Sequence, residues 1–498
     1  MADGQITHPD GRVELANPEA LAASPLYNED LAPVGIAKRT WSTWDFAALW
    51  ISMAHCIPTY TMASGLIASG MAWWQALLTI ALGNIIVLAP ILLNSHPGTK
   101  YGIPFPVFAR AAYGTGGANL AALMRALIAC GWFGINAWIG GYALQTFLTA
   151  LWPGWATLGP QIHSIALTQW ISFLAFWGLN ILIIYKGMEL IRRLERFAAP
   201  FVLVMTAVLV GWALWKSGGL DLGGGTIPEG HFLAVFIPSL TATIGFWSTL
   251  SLNMPDFTRY GRSQREQVVG QVVALPSTMT VFAAMGIIIT TATVKIYGHA
   301  ISDPITLGGM FHNRVIVGIV MFTVVVATLA VNIAANVVSP ANDFANAFPS
   351  KVDFKKGGLI TGLIGIAMMP WELLKDAHRY IDGWLLGYSG ALGSIAGVLI
   401  VDYWILRKKT LDLKSLYTSG PESQYHYAGG WNMAAVAATL VGAGVALLGA
   451  FWEPMHAIYD WSWFVGFGLA GLIYWVLMRG KVNVNNAANL PSARVVES

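Results

Sequence analysis

Asn332-Ile-Ala-Ala-Asn336-Val-Val-Ser-Pro340-Ala-Asn342-Asp343 continues an apolar run, Val315 to Val331, long enough to cross a bilayer. An amide at that depth is costly unless it faces a partner, a cavity or a solute, because lipid offers no hydrogen bonds. Asn336 therefore marks a place where something useful sits beside the helix. The rest of the chain points to a small planar molecule.

Hydrophobic residues make up 56% of the 498 residues and charged residues 11%, with 22 Trp and 53 Gly. A soluble domain carries roughly 25% charge, so the chain belongs in a membrane. The ~20-residue rule gives twelve spans. They lie near 45–68, 73–93, 118–150, 166–185, 197–215, 232–254, 268–294, 313–343, 358–374, 381–405, 431–451 and 459–478. The third and eighth are over-long and are expected to tilt or protrude. No apolar core precedes Trp41, so no cleavable signal peptide is expected and residues 1–40 form a cytoplasmic N-terminal segment. With the N-terminus inside, twenty Lys and Arg fall in cytoplasmic loops and five outside. That bias predicts an even span count with both ends in the cytoplasm. The predicted location is a bacterial inner membrane, with residues 480–498 as a cytoplasmic tail.

The two cysteines, Cys56 and Cys130, fall within spans and make neither a disulfide framework nor a metal-ligand pattern. No cofactor is expected. The net charge of +3 follows from the basic loops and implies no nucleic-acid partner.

Two spans read as interrupted. The first contains His55-Cys-Ile-Pro58 at mid-depth, where proline removes a donor and frees carbonyls in the preceding turn. The sixth contains Gly245 within a run of hydroxyl residues, then Asn253-Met-Pro255-Asp256. Spans one and six are five apart, and two five-helix halves have opposite orientations because five is odd. Broken helices at matching positions of inverted halves point to a transporter site at the midplane. The simpler alternative is an ordinary proline kink packed by its neighbours.

In the third span Trp132 and Asn136 are four apart and share a helix face. Trp247 follows the weak point of the sixth span, and Asn336 lies in the eighth. Two indoles and two amides can sandwich a flat heterocycle and read its N–H and C=O edges. Each has a structural alternative. Indoles in a Trp-rich membrane chain mostly anchor or pack, and a bundle Asn often bonds only a neighbouring helix.

At these residues the chain resembles the nucleobase:cation symporter-1 family, in its bacterial allantoin-permease-like branch. The resemblance covers about residues 25–480. It rests on Lys38-Arg-Thr-Trp41, Ile57-Pro-Thr-Tyr60, Gly98-Thr-Lys-Tyr-Gly-Ile-Pro-Phe-Pro106 with Arg110, and Trp132-Phe-Gly. It rests also on Pro255-Asp-Phe-Thr-Arg259, Asn332-Ile-Ala-Ala-Asn336 with Ser339-Pro340, Met369-Pro-Trp371 and Asp402-Tyr403. The resemblance implies an all-α membrane fold of twelve helices: a five-plus-five inverted repeat with helices 1 and 6 broken, plus two C-terminal helices. The corresponding segments are 41–216, 231–405 and 431–479. It also implies uptake of a nucleobase or ureido ring of the allantoin, hydantoin, uracil or cytosine class by alternating access. Trp132 and Trp247 match the family's indole sandwich, Asn136 falls where relatives carry a ring-bonding Gln, and Asn336 matches the helix-eight amide. Cys56 falls where others place a polar amide, and Gly245 sits at the helix-six break.

The family's sodium site uses backbone carbonyls of helices one and eight with two helix-eight hydroxyls. Here the carbonyls would come from around Ser52 and His55 and from Ala327, but the hydroxyl positions are Ala330 and Val331. A hard cation needs oxygen ligands. The expected driving ion is therefore a proton, with His55 as the leading carrier and sodium as the alternative. Asp256 is a second carrier candidate, or simply a partner of Arg259. His55 also reads as a hydrogen-bonded packing residue.

A channel would want a continuous polar lining. An enzyme would need a nucleophile with its base, a metal cluster or paired acids, and inside the spans acids and His occur singly. An amino-acid transporter on the same fold would need a carboxylate partner, and no basic residue lies at mid-depth.

Overall fold

The structure, a computed structural model, describes residues 4–219, 222–373 and 383–482. The first span is split into α1 (Thr43–Ala54) and α2 (Ile57–Ala68). The break falls at His55 and Cys56, the latter extended, because Pro58 starts α2 rather than kinking its middle. Proline suits a first turn, where its missing N–H has no partner to lose. The freed Ala54 carbonyl accepts from Thr59 Oγ1 at 2.8 Å.

Four helices continue the first half and its basic-side loop: α3 (Trp73–Tyr101), the short α4 (Phe105–Tyr113), α5 (Ala118–Leu151) and α6 (Leu167–Lys186). The fifth span, α7, runs Met188–Ser217. Sequence pattern placed its start near 197 and left Lys186–Arg196 as a loop. Only Gly187, at φ +85°, separates α6 from α7. From Met188 the chain is a helix whose Arg192 and Arg196 pair with Asp45 of α1 while Glu195 is buried.

The sixth span is α8 (Phe232–Phe246), a turn at Trp247–Thr249, then α9 (Leu250–Asn253) and α10 (Pro255–Thr258), bent by 43°. The serine hydroxyls reclaim carbonyls at the bend, Ser248 on Gly245 at 2.7 Å and Ser251 on Ser248 at 2.6 Å. Then follow α11 (Gln264–Tyr297), the short α12 (Pro304–Gly309), α13 (Arg314–Asn336) with α14 (Val338–Ala347), α15 (Phe354–Ala367) and the short α16 (Pro370–Leu373). The chain continues with α17 (Leu386–Ile400), ending in a π-turn at Val401–Leu406, and the surface turn α18 (Leu413–Leu416). It closes with α19 (Met433–Leu447), α20 (His456–Asp460) and α21 (Ser462–Met478).

Among the described residues eight helices are individually long and apolar enough to cross a membrane, and two bent pairs add two more. The halves of the first span and the 14-residue α15 complete twelve. The junction of spans nine and ten at 374–382 and the tail from 483 lie outside the described residues. The fold is an all-α inverted repeat, broken at corresponding places in α1/α2 and α8/α9, with two additional helices. Two two-stranded hairpins, Gln5–Thr7 with Val13–Leu15 and Gln161–Ile162 with Ile165–Ala166, are its only sheets among the described residues.

The N-terminal hairpin caps the basic face, the side of the bundle on which the Lys- and Arg-rich loops gather. Arg39 is buried there and donates to the carbonyls of Val34, Thr99 and Val13. Asn28 reaches the carbonyls of Pro349 and Val352, and Asp30 accepts from the Phe354 N–H. A segment that reads as merely polar thus ties three loops together.

Helix α21 lines no part of the central pocket but packs closely on α17. A Cβ added to Gly397 of α17 would lie 2.2 Å from the Phe467 carbonyl oxygen of α21. Gly397→Val is expected to cost about 1–3 kcal/mol by overpacking. It should lower the melting temperature of the detergent-solubilised protein; an unchanged melt would mean these helices part freely.

Candidate functional site

The two helix breaks, α5 and α13 converge on one buried pocket. Its wall includes Met53, Cys56, Pro58, Trp132, Asn136, Phe246, Trp247, Val331, Ala335 and Asn336. Five of the six residues singled out as ring-binding therefore share this wall: Trp132, Asn136, Trp247, Asn336 and Cys56. Gly245 stands behind it. Its carbonyl accepts from Tyr388 Oη at 3.0 Å, and a Cβ there would meet the Leu385 carbonyl at 2.9 Å. Gly245 is a close-approach residue between α8 and α17.

The indoles are held edge-on by neighbours. Trp132 packs T-shaped on Phe246 at 5.4 Å, and Trp247 on Trp50 at 5.2 Å with an interplanar angle of 86°. Trp132 Nε1 donates to Tyr388 Oη at 3.1 Å. Since the same hydroxyl donates to Gly245, Tyr388 ties α5, α8 and α17 together beside the pocket. Trp384 also packs on Trp132, at 6.4 Å.

The amides have a fixed polarity. Asn136 Nδ2 donates to the Trp132 carbonyl at 3.1 Å, and its buried Oδ1 has no protein partner. Asn336 ends a ladder. Asn180 Nδ2 donates to the Phe176 carbonyl at 2.8 Å, Asn332 Nδ2 to Asn180 Oδ1 at 3.2 Å, and Asn336 Nδ2 to Asn332 Oδ1 at 3.0 Å. A backbone carbonyl can only accept, so it sets the direction of the whole chain. Asn336 is left with its Oδ1 as the acceptor at the end. Both amides thus bring carbonyl oxygens to the pocket. Cys56 Sγ lies 3.3 Å from Thr59 Oγ1.

The candidate ion residues divide. Ala327 lines a second cavity with His55, Tyr60, Thr206, Thr323 and Thr328. Val331 faces the ring pocket, and Ala330 is fully buried. His55 Nε2 bonds the hydroxyls of Tyr60, at 3.1 Å, and Thr206, while its Nδ1 has no partner. Ser52 Oγ meets the carbonyls of Ala48 and Leu49 and the carboxylate of Glu195.

Asp256 makes no direct hydrogen bond or ion pair with Arg259, although the guanidinium is near enough to act on its charge. It accepts from the Phe105 N–H at 3.1 Å, from Asn342 Nδ2 at 3.0 Å and from Ser339. Arg259 turns to the Asp30 carbonyl of the N-terminal segment and to the hydroxyl of its chain neighbour Tyr260. The third span does carry a buried cation. Arg125, two turns before Trp132, is fully buried with Nη1 3.8 Å from Asp343. An arginine inside an apolar run was the signal for it. Asn332 was legible too, one turn before Asn336 on the same face. Tyr388 and Phe246 carry no local signal that separates them from packing residues. Glu195 was hidden by the basic run around it.

Residues 33–466 match the family described as permeases for cytosine/purines, uracil, thiamine and allantoin. The allantoin permease of Bacillus subtilis is 41% identical, over 91% of this chain and 93% of that protein. An Arabidopsis thaliana purine-uracil permease is 39% identical, over 91% of this chain and 78% of that protein. Among solved structures, a nucleobase-cation-symport-1 family transporter, closed with bromovinylhydantoin bound, superposes with a TM-score of 0.75. It is 24% identical, with 91% of this chain and 95% of that chain covered. A single pocket between two helix breaks, walled by indoles and amides, thus coincides with a family-wide sequence match, and the chain belongs to the nucleobase:cation symporter-1 family of membrane transporters.

Proposed function

We propose that this protein imports a nitrogen-rich ring bearing N–H donors on two edges, of the allantoin, hydantoin, uracil or cytosine class, together with protons. The carrying observation is the polarity of the two amides. Oδ1 of Asn136 and of Asn336 are acceptors on opposing helices, between Trp132 and Trp247. A ureido or imide ring offers N–H groups to both and a flat face to the indoles. A buried acceptor left unpaired costs about 1–3 kcal/mol, which favours rings with both donors over those with one.

The basic face is the cytoplasmic side of a bacterial inner membrane in this reading, with both termini there. Proton rather than sodium coupling is supported by Ala330 and Val331, which bring no side-chain hydroxyl to the cage beside Ser52, His55 and Ala327. Driven uptake that requires sodium and survives a proton uncoupler would reverse that choice.

The test is labelled uptake into cells lacking their own permeases, with allantoin, hydantoin, uracil and cytosine as competitors. Ring N-methylated analogues form the second arm. Methylating one ring N–H is expected to weaken competition by about ten- to a hundredfold, the equivalent of one unpaired acceptor. Equal competition by the methylated ring would show that the amides do not read N–H groups.

A further inference from the structure

We propose that Glu195 of α7, hydrogen-bonded to Ser52 of the broken helix α1, is the proton-binding carboxyl of the transport cycle. The inference rests on the proton-coupled reading above and places the proton one turn from His55.

Glu195 is 3% exposed, and its Oε1 has no partner. Its Oε2 meets Ser52 Oγ, which is also 2.9 Å from the Ala48 carbonyl and 3.2 Å from that of Leu49. A hydroxyl has one hydrogen to give and lone pairs to receive. Ser52 has one hydrogen for three acceptors, the Ala48 and Leu49 carbonyls and Glu195 Oε2, so a protonated Glu195 can supply the hydrogen of its own bond while Ser52 donates to its helix. The neutral acid lets both hydroxyls donate, whereas a carboxylate relies on the Ser52 hydrogen alone and leaves Oε1 bare.

The acids and most of the cations nearby are otherwise engaged, and Arg265 of α11 and Lys186 of α6 are exposed. On α7 and α1, Arg192 and Arg196 both clasp Asp45, at 2.8 and 2.7 Å. Arg193 pairs with Glu189. On α11, Glu266 is held by Arg262 and Thr43. On α1, His55 is occupied by Tyr60 and Thr206. The packed part of α13 carries no ionisable side chain between Arg314 and Asp343, and α6 brings only Tyr185 and Lys186 at its end. Among the described residues no cation pairs with Glu195. A buried carboxylate without a counter-charge is strongly disfavoured, and the group neutralises instead.

The location makes the proton mobile. Glu195 lies on the seam between α1 and α7, above the Asp45 clasp and below the cavity lined by His55, Thr206 and Ala327. With the seam closed, the carboxyl keeps its proton. When α7 parts from α1 at the basic face, water reaches Oε2, the proton passes to it, and the hydrated carboxylate remains. For net transport the carboxyl must be reloaded from the opposite side, through the cavity lined by His55, Thr206 and Ala327, before the next ring is carried. The cation cage is thereby replaced by an acid one helix away.

The experiment uses purified full-length protein in sodium-free proteoliposomes with an acid exterior. One proton per ring supports at most about tenfold accumulation per unit of pH gradient. Wild type should approach that limit. Glu195→Gln, a permanently neutral mimic of the acid, should exchange labelled ring across the membrane yet accumulate none, while His55→Gln accumulates it. Gradient-driven accumulation by Glu195→Gln, or its loss in His55→Gln alone, overturns the assignment. Failure of wild type to carry any ring would instead sink the substrate reading. Infrared difference spectra between alkaline and acid pH, taken without substrate, decide the site in that event. A protonated-carboxyl band lost in Glu195→Gln supports it, and an identical spectrum in the variant refutes it.

Discussion

Trp132→Ala is expected to reduce saturable ring uptake by about a hundredfold or more at substrate concentrations near the wild-type KM. Stacking of a base on an aromatic side chain contributes about 1–3 kcal/mol by alanine substitution, which alone spans roughly five- to 150-fold. In the proposed site Trp132 would do more than stack. Its Nε1 holds Tyr388, which in turn bonds the Gly245 carbonyl beside the helix-six break. Removing the indole leaves that hydroxyl without its donor and opens a space against Phe246 and Trp384. Trp132→Phe separates the two roles, since it keeps a ring face but has no N–H. An intermediate loss, about tenfold, is expected for the single neutral hydrogen bond. Tyr388→Phe should lose at least as much as Trp132→Phe, because it breaks the same bond from the other end and also the bond to the Gly245 carbonyl. If Trp132→Ala takes up ring within threefold of wild type, the indole packs the bundle and does not bind substrate.

The parts of this site that were legible from sequence were those whose residue type conflicts with the membrane. Asn336 and Asn136 are amides in apolar helices, and Pro58 and Gly245 interrupt helices that should run through. Such conflicts are local and need no knowledge of the partner. The span count was legible for the same reason, because hydropathy is summed along the chain. What escaped was set by partners distant in sequence. Tyr388 looks like any buried tyrosine until α17 is laid across α5 and α8. Asp256 stands three residues from Arg259, and proximity in sequence suggested a pair. The fold gives Asp256 to Ser339 and Asn342 instead, because the basic ends of spans six and eight meet there. Glu195 illustrates the opposite failure. Four residues of its surroundings are charged, so the window reads as loop, yet the helix turns that one acid toward Ser52.

Arg125→Met should be among the most destabilising single substitutions in the bundle. The guanidinium is fully buried, with Nη2 on the Ala335 carbonyl at 3.2 Å and Nη1 facing Asp343. Neither carboxylate oxygen of Asp343 has a hydrogen-bond partner. Asp256, the nearby second acid, is at least held by Ser339, Asn342 and the Phe105 N–H. Deleting the cation therefore strands Asp343 without compensation. Breaking a buried pair by removing one partner costs about 3–5 kcal/mol, whereas replacing both by neutral groups is often nearly free. The double variant Arg125→Met with Asp343→Asn should accordingly recover most of the lost stability. Large membrane proteins commonly unfold irreversibly, so the comparison needs melting curves in one detergent at one scan rate. A double variant as unstable as Arg125→Met alone would mean that the arginine acts through its packing and its bond to Ala335. The position of the pair gives the result a second consequence. Ser339, Asn342 and Asp343 share α14, directly below Asn336, and Asp256 joins that helix to the basic end of the sixth span. Arg125 thus ties α5 to α13 and α14 one turn and more beyond Asn336, through the Ala335 carbonyl and Asp343.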